Sequence, residues 1–307
     1  MAVYVNTNYS ALQGQRYLGN VQNSLTTTYQ RLSSGMRINS AKDDAAGLQI
    51  ADRLTSQING LNQGNRNASD GIALAQTIES GMDEIAGMLQ KIRTLSVQAS
   101  NGTNTAEDRG ALAKEASALV AEMQRISKQT TYAGKKVLQG AKTDDDIYTK
   151  DATNGSKGGS LTLQVGSNKG DTITFSVSNF AFSAMAKGFS LGFKKHADTL
   201  KSASAGSAVL FSTASMAQDL IQSIDGIIAK VDAQRANLGA IQNRLESSIR
   251  NQSNVAANEA DARSRIRDAD FAEESANLSQ QSIIQQAAAS MLMQANTRPQ
   301  LGLSLLG

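Results

Sequence analysis

The chain has 307 residues, with 30 basic and 27 acidic side chains, a formal net charge of +3 and an aromatic share of 4%. It contains no cysteine, which excludes disulfides, thiolate nucleophiles and cysteine-ligated metals. The charge excess is too small to indicate a nucleic-acid partner. No apolar run reaches the roughly 18–20 residues that span a bilayer, so a membrane is not expected as a partner either.

The two ends of the chain are almost free of charge. Residues 1–30 carry only Arg16, and residues 275–307 carry only Arg298. Both ends place apolar residues at the heptad spacing of a coiled-coil seam. The predicted subunit-packing residues are Leu18, Val21, Leu25 and Leu32 at one end and Ile284, Ala288, Met291 and Ala295 at the other. Isolated helices are marginal in water, so we expect both ends to become ordered when other subunits cover them. Disordered tails are the alternative.

A break in the helical pattern follows the first of these ends. Gly35 stands where a helix-ending glycine is expected. Ser40 and Asp43 form an S-x-x-D capping box, which places Asp43 and Asp44 in the first turn of the next helix. This interpretation is favoured over a metal site for the adjacent carboxylates. Asp270 provides a matching cap near the other end, and these residues mark the predicted domain junction.

The two ends have nearly equal lengths outside these breaks. We therefore expect the two ends to pair antiparallel, which requires the chain to reverse its direction between them. Such pairing would bring Arg37 and Lys42 near Asp268 and Asp270.

Three further stretches continue the heptad spacing without an interrupting proline, and they predict long helices that bury one another. An Asn101-Gly102 turn and a capping box from Thr105 to Asp108 predict a hairpin between the first two helices. The seam positions are Ile78, Met82, Ile85, Leu89 and Ile92, then Leu112, Ala116, Leu119, Met123 and Ile126, and finally Leu220, Ile224, Ile227, Val231, Gln234, Leu238, Ile241 and Leu245.

Residues 161–177 change to a period of two, which predicts a β-hairpin with one buried face. The fold class predicted is mainly α: a long helical rod and a coiled coil formed by both chain ends, with a small β-hairpin region. The predicted domains are 1–44 with 265–307, 45–180 with 210–264, and a short variable outer insertion at 181–209.

No motif of an enzyme is present in the sequence. The single histidine, His196, has no nucleophile or ligand partner nearby in the sequence, and no H-E-x-x-H, phosphate-binding loop or G-x-G-x-x-G occurs. We expect no catalytic residues, no metal and no cofactor.

Three segments together resemble bacterial flagellin: "RLSSGMRINSAKDDAAGLQIADRL", "LQKIRTLSVQASNGTNT" and "SIIQQAAASMLMQANTRPQLGLSLLG". The resemblance covers roughly residues 1–180 and 210–307. It implies a structural subunit that polymerises into the extracellular flagellar filament, a helical homopolymer for swimming motility, with a discontinuous terminal domain in the filament core. The alternative is a hook–filament junction protein, which shares the terminal helices. Flagellins that carry a metallopeptidase are not matched, because the chain has one histidine.

The resemblance also implies partners and a route of export. It implies unfolded export through the flagellar type III apparatus, a cytoplasmic chaperone for the C-terminal helix, and filament cap and hook-junction proteins. Residues 1–30 lack the basic start and apolar run of a cleaved signal peptide, which agrees with that route. Recognition by the Toll-like receptor for flagellin would use Gln90, Lys91, Leu95 and Glu115, with Lys91 in place of the family's arginine.

Overall fold

The computed structural model describes residues 7–140, 147–150, 158–180, 185 and 213–304. Within these ranges the chain forms five α-helices and five β-strands. The helices are α1 (Tyr9–Ser34), α2 (Ala45–Ala99), α3 (Ala106–Gln129), α4 (Ala214–Arg267) and α5 (Phe271–Ser304). The strands are β1 (Thr131–Tyr132), β2 (Lys135–Lys136), β3 (Thr149–Lys150), β4 (Gly158–Gln164) and β5 (Thr172–Ser178). The predicted mainly α fold with a small β region is confirmed.

Packing groups the residues into two units. The terminal unit comprises residues 1–59 with 255–307, and the central unit comprises residues 60–254. The predicted domain limits follow the helix breaks, whereas the packing assigns the beginning of α2 and the end of α4 to the terminal unit. The predicted insertion at 181–209, including His196, lies outside the described residues except for buried Met185.

The core of the central unit consists of apolar side chains from α2, α3, α4 and the sheet. The predicted seam of α2, from Ile78 to Ile92, is at most 2% exposed, and the eight predicted positions of α4 are all buried. In α3 the buried face is shifted from the predicted one. It contains Ala113, Ala116, Val120, Met123 and Ser127. A helix packed on a globular core presents a wider stripe than a coiled-coil seam, so the predicted Leu112, Leu119 and Ile126 lie half-buried at its edges.

The predicted β-hairpin is formed by β4 and β5, which pair antiparallel with Leu161 opposite Phe175. Along β5 the side chains alternate, and Ile173, Phe175 and Val177 are buried. The sequence did not predict β3, which pairs with β4, or the small β1–β2 hairpin. A strand of two residues is too short to show the alternation of apolar and polar side chains by which a strand is predicted from sequence.

The connection after β4 lies close to the backbone of α2 at two glycines. A Cβ atom on Gly60 would stand 2.7 Å from the Cβ of Ser167, and one on Gly64 would overlap the carbonyl oxygen of Val165. The side-chain amide of Asn67 donates to the carbonyl oxygen of Gln164 at 2.9 Å. Absence of a side chain at Gly64 is therefore a requirement for this close approach.

Candidate functional site at the terminal helix pair

Helices α1 and α5 pack against each other in antiparallel orientation, as predicted. The side-chain amide of Asn8 donates to the carbonyl oxygen of Ala295 at 2.8 Å. The hydroxyl of Thr28 donates to Oε1 of Gln281 at 3.2 Å. Farther along, Arg31 lies 3.9 Å from the carboxylate of Glu274. From one contact to the next, the residue number rises along α1 and falls along α5, so the two helices run antiparallel.

The seam between the two helices buries little. Of the predicted packing residues, Val21 and Ala288 are buried, at 9% and 5% exposure. The others on the inner face are half-buried; they are Leu18, Leu25, Leu32, Ile284 and Ala295. The apolar interior of this helix pair is therefore small.

Met291 lies outside the seam between α1 and α5 of one chain, so its predicted role in packing between subunits stays a prediction. Its side chain is 72% exposed, whereas neighbouring Leu292 is half-buried and faces Gly14. A straight helix has about 3.6 residues per turn, so the inward position drifts away from a strict heptad. Met291 instead lines a groove of about 540 Å³ beside the seam, together with Tyr17 and Ala288.

The outer faces of α1 and α5 expose large apolar side chains, which we call the apolar surface. Its members are between 52% and 74% exposed. They are Tyr9, Leu12, Tyr17, Tyr29, Phe271, Ile283, Met291 and Met293. Sequence reasoning missed most of them, because the heptad pattern identifies the inner face only. The near absence of charge at both ends was the signal for this surface. The number of large apolar side chains exposed on these two helices indicates that their outer faces interact with other surfaces.

The two breaks in the helical pattern meet through their backbones. Gly35 ends α1 in the left-handed conformation, with φ of 70°, and its N–H donates to the carbonyl oxygen of Arg31 at 2.8 Å. The N–H of Arg37 donates to the carbonyl oxygen of Arg267 at 2.7 Å, and the N–H of Ala269 donates to that of Gly35 at 3.0 Å. Beside them, Ile38 is only 2% exposed.

Arg37 lies near Asp268, as predicted, because the neighbouring Met36 forms an antiparallel β-bridge with Asp268. The side chains of Arg37 and Asp268, however, form no ion pair in the described structure. The guanidinium of Arg37 donates to the carbonyl oxygen of Ile266 at 2.8 Å. Among the residues that the structure describes, neither Arg37 nor Lys42 pairs with Asp268 or Asp270. The antiparallel return therefore brings these segments together through main-chain hydrogen bonds.

The adjacent carboxylates of Asp43 and Asp44 have separate roles. Oδ2 of Asp43 accepts hydrogen bonds from the N–H groups of Ser40 at 2.9 Å and Asn39 at 3.1 Å. These bonds, that from Ser40 first, lower the pKa of the Asp43 carboxyl below its usual value. The predicted first-turn position of Asp43 is wrong, because α2 begins at Ala45. Asp44 precedes the helix and accepts from the N–H of Gly47 at 2.9 Å, so Asp44 caps α2 while Ser40 and Asp43 close a turn before it.

Asp270 precedes α5 and accepts hydrogen bonds from the N–H groups of Ala272 at 2.8 Å and Glu273 at 3.3 Å. Glu273 and Glu274 follow in the first turn, where the helix dipole favours negative charge. Glu274 is 7% exposed and is the carboxylate that lies nearest Arg31. The C-terminal helix therefore starts at a defined residue beside the end of α1.

The residues carried over as a receptor contact lie in the central unit. Nζ of Lys91 is 3.4 Å from the carboxylate of Glu115, and both side chains are at least half exposed. Gln90 is also exposed. Leu95 is only 7% exposed and belongs to the core, so its side chain does not present a surface with the other three.

Neither a metal site nor a membrane span is found in the described part of the chain. No group of three or more histidine, aspartate or glutamate side chains is placed to hold an ion there. No helix in the same ranges combines the length and apolar character needed to cross a bilayer.

Comparison with known proteins gives matches at both ends of the chain. The bacterial flagellin N-terminal helical region matches residues 5–143, and the bacterial flagellin C-terminal helical region matches residues 221–306. The chain is 35% identical over 392 residues to Flagellin B of Vibrio cholerae, and 34% identical over 377 residues to Polar flagellin F of Vibrio parahaemolyticus. Each alignment covers 100% of both chains.

A solved structure from Vibrio parahaemolyticus, described as a flagellar hook-associated protein, is similar with a TM-score of 0.56. Its sequence is 17% identical, and the match covers 74% of this chain and 100% of that chain. At this identity the likeness shows a shared fold alone.

Proposed function

Because this chain belongs to the bacterial flagellin family, we infer that it is a structural subunit that polymerises into the flagellar filament for swimming motility. The observation that carries the mechanism is the apolar surface of α1 and α5, with members between 52% and 74% exposed. Covering one Leu-sized side chain contributes about 1.5–3 kcal/mol. Several such side chains per subunit offset the entropy lost when the helices become ordered in an assembly.

The seam between α1 and α5 buries few apolar residues, so we propose that other copies of the chain cover the apolar surface. Within the pair, Val21 and Ala288 are the buried apolar residues, and the flanks carry Tyr17 and Met291 facing solvent. Apart from Arg16 and Arg298, the polar side chains of residues 1–30 and 275–307 are uncharged, so two copies can approach while burying few ionic groups, whose burial is costly. Packing of α1 and α5 against the same helices of neighbouring subunits is therefore the proposed polymer contact.

Removal of residues 275–307 tests this mechanism. We expect the truncated chain to remain a soluble monomer with a folded central unit, and to form no filaments when seeded with filament fragments. Electron microscopy and sedimentation of the seeded mixture provide the measurement, with the full chain as control. Filaments assembled from the truncated chain would refute the proposed contact.

A point variant separates loss of the apolar surface from loss of the helix. Ile283→Gln removes a side chain that is 67% exposed, and glutamine retains good helix propensity. We expect the variant monomer to keep its helical content while its critical concentration for polymerisation rises. An unchanged critical concentration would mean that Ile283 is not covered in the polymer.

A hook–filament junction protein is the second candidate function. The fold similarity to the hook-associated structure, with a TM-score of 0.56, is compatible with this role but does not distinguish it from the filament subunit. The identity of 35% across the whole of both chains with Flagellin B favours the filament subunit. Long polymers from the purified chain alone support the filament role, whereas a chain that only binds filament or hook ends supports the junction role.

We also propose the finer features that the family implies. The subunit is exported through the flagellar type III apparatus without a cleaved signal peptide. It is held by a cytoplasmic chaperone at its C-terminal helix, and it is added under a cap next to the hook-junction proteins. It is extracellular, and it has no catalytic activity. Sequencing the N-terminus of protein taken from filaments checks the export route, because a cleaved leader would contradict it.

Recognition by the Toll-like receptor for flagellin is a further proposed partner. Gln90, Lys91 and Glu115 supply an exposed polar surface, with the ion pair of 3.4 Å between the last two. An epithelial reporter assay with monomer tests this, with Lys91→Ala as the matched variant. No response to the unaltered chain would remove the proposal.

A further inference from the structure

We propose that Met291 and Met293 form an oxidation-sensitive modification site in the apolar surface. Conversion of their thioethers to sulfoxides in the free subunit hinders polymerisation, and reduction restores it. The inference rests on the proposed filament function, since its effect is on contacts between copies.

The first observation is selective exposure. Met291 and Met293 are 72% and 66% exposed, whereas Met82 and Met123 are at most 1% exposed. The other methionines in the described ranges are buried or half-buried; they are Met36, Met88, Met185 and Met216. The chain also contains no cysteine and no tryptophan. A mild peroxide therefore meets these two thioethers before any other readily oxidised side chain in the described structure.

The second observation is the position of the two side chains. Leu292 faces Gly14 across the seam. Successive residues of a helix are turned by about 100°, so Met291 and Met293 lie on opposite flanks of Leu292. Met291 borders the groove beside Tyr17. Copies that pack on either flank of the α1–α5 pair would thus cover a methionine.

The chemistry is the transfer of one oxygen atom from hydrogen peroxide to the sulfur. An S=O bond forms, the O–O bond of peroxide breaks, and water leaves; the sulfur is oxidised by two electrons and the peroxide is reduced. Methionine-sulfoxide reductases reverse the step with electrons from a thiol.

The modification replaces a flexible apolar group with a polar one. Methionine fits irregular apolar contacts well, and sulfoxide formation disrupts such contacts. Covering the sulfoxide oxygen without a hydrogen-bond donor is unfavourable, and a subunit that places one on each flank is penalised on both sides. The same packing shields the thioether once a subunit is incorporated. The free subunit is thus the sensitive form, and the polymer is the protected one.

The test treats the full-length monomer with hydrogen peroxide and measures oxygen addition at each methionine by peptide mass spectrometry. We expect Met291 and Met293 to be oxidised first, and Met82 and Met123 last. In seeded assembly, the critical concentration of the oxidised chain should rise by about tenfold or more. Treatment with methionine-sulfoxide reductases should return it to the starting value. In preformed filaments the two sites should be oxidised much more slowly.

The matched variant is Met291→Leu with Met293→Leu, which keeps apolar side chains of similar size. We expect the critical concentration of this variant, whatever its starting value, to be the same before and after peroxide treatment. An oxidised chain that polymerises normally, or a double variant that loses polymerisation after peroxide like the unaltered chain, would overturn the inference. Failure of the untreated chain to polymerise would instead contradict the proposed filament function on which the inference rests.

Discussion

The central and terminal units use apolar residues at the same spacing, but they cover those residues differently. In the central unit, Ile85 and Leu89 are 0% exposed within one chain. In the terminal unit, the seam positions Leu18 and Ile284 are only half-buried. Leu12 and Ile283, which lie outside the heptad spacing, are 52% and 67% exposed. The difference shows that heptad spacing indicates an apolar face to be covered, but does not indicate which chain provides the cover.

Truncation of one leucine in each unit gives the largest expected contrast. Leu89→Ala should lower the free energy of unfolding by about 2–5 kcal/mol, because it leaves a cavity in the core. Leu12→Ala should change that free energy by less than about 0.5 kcal/mol. Urea denaturation followed by circular dichroism measures both variants.

The same pair of variants is then compared in assembly. Leu12→Ala should raise the critical concentration for polymerisation, since it removes part of the apolar surface. Equal losses of monomer stability in the two variants would break the distinction between the units.

The close approach at Gly64 tests how tightly the central unit is packed. Gly64→Ala should lower the free energy of unfolding by about 1–3 kcal/mol, because the added methyl group overlaps the carbonyl oxygen of Val165. Gly87→Ala in the same helix is the matched control, since a Cβ there meets nothing within 4 Å. The control should raise the free energy of unfolding by about 0.5–1 kcal/mol. Thermal unfolding of both variants provides the measurement, and a stabilised Gly64→Ala chain would contradict the packing described.

The cap of α3 gives a smaller effect. The hydroxyl of Thr105 accepts from the N–H of Asp108 at 3.2 Å, and Oδ2 of Asp108 accepts from the N–H of Thr105 at 2.9 Å. Thr105→Ala should lower the free energy of unfolding by about 0.5–2 kcal/mol. Thr103→Ala, at an exposed position of the same loop, should change it by less than about 0.5 kcal/mol. Identical denaturation midpoints for the two variants would contradict the role of the cap.

The smallest effect is a pH dependence that compares one carboxylate from each unit. The hydroxyl of Thr105, followed by its N–H, lowers the pKa of Asp108, and the N–H groups of Ser40 and Asn39 lower that of Asp43. A carboxyl group whose pKa is lower in the folded chain than in the unfolded chain contributes its full stabilisation of the folded state at pH values above its pKa in the unfolded chain. That stabilisation is lost as the pH falls through the folded pKa, so both turns should hold at neutral pH and loosen below about pH 4.

Amide exchange at Ser40 and Thr105 follows the two turns separately. Asp43→Asn should remove the acid-dependent loss of protection at Ser40 while leaving that at Thr105 in place. Exchange at Ser40 that does not change on acidification would contradict the hydrogen bonds assigned to Asp43.

The sequence predicted the structure well where an apolar face of a helix or strand is covered by other parts of the same chain. The eight seam positions of α4 and the alternation of β5 are examples. The sequence could not predict geometry that depends on partners distant along the chain. Leu292 enters the seam between α1 and α5 because Gly14 leaves space for it, and Leu95 is buried because the central core extends to it. The S-x-x-D motif predicted Asp43 as part of the cap of α2. The carboxylate of Asp43 instead accepts hydrogen bonds within the turn that precedes the helix, and Asp44 is the residue that caps α2.

Amide hydrogen exchange, compared between the free chain and the filament, tests most directly that polymerisation covers the terminal helices. We predict that the largest gain in protection falls on α1 and α5, with smaller changes in the helices of the central unit, whose apolar faces are already buried. A gain confined to residues 60–254, with α1 and α5 exchanging alike in both forms, would contradict it.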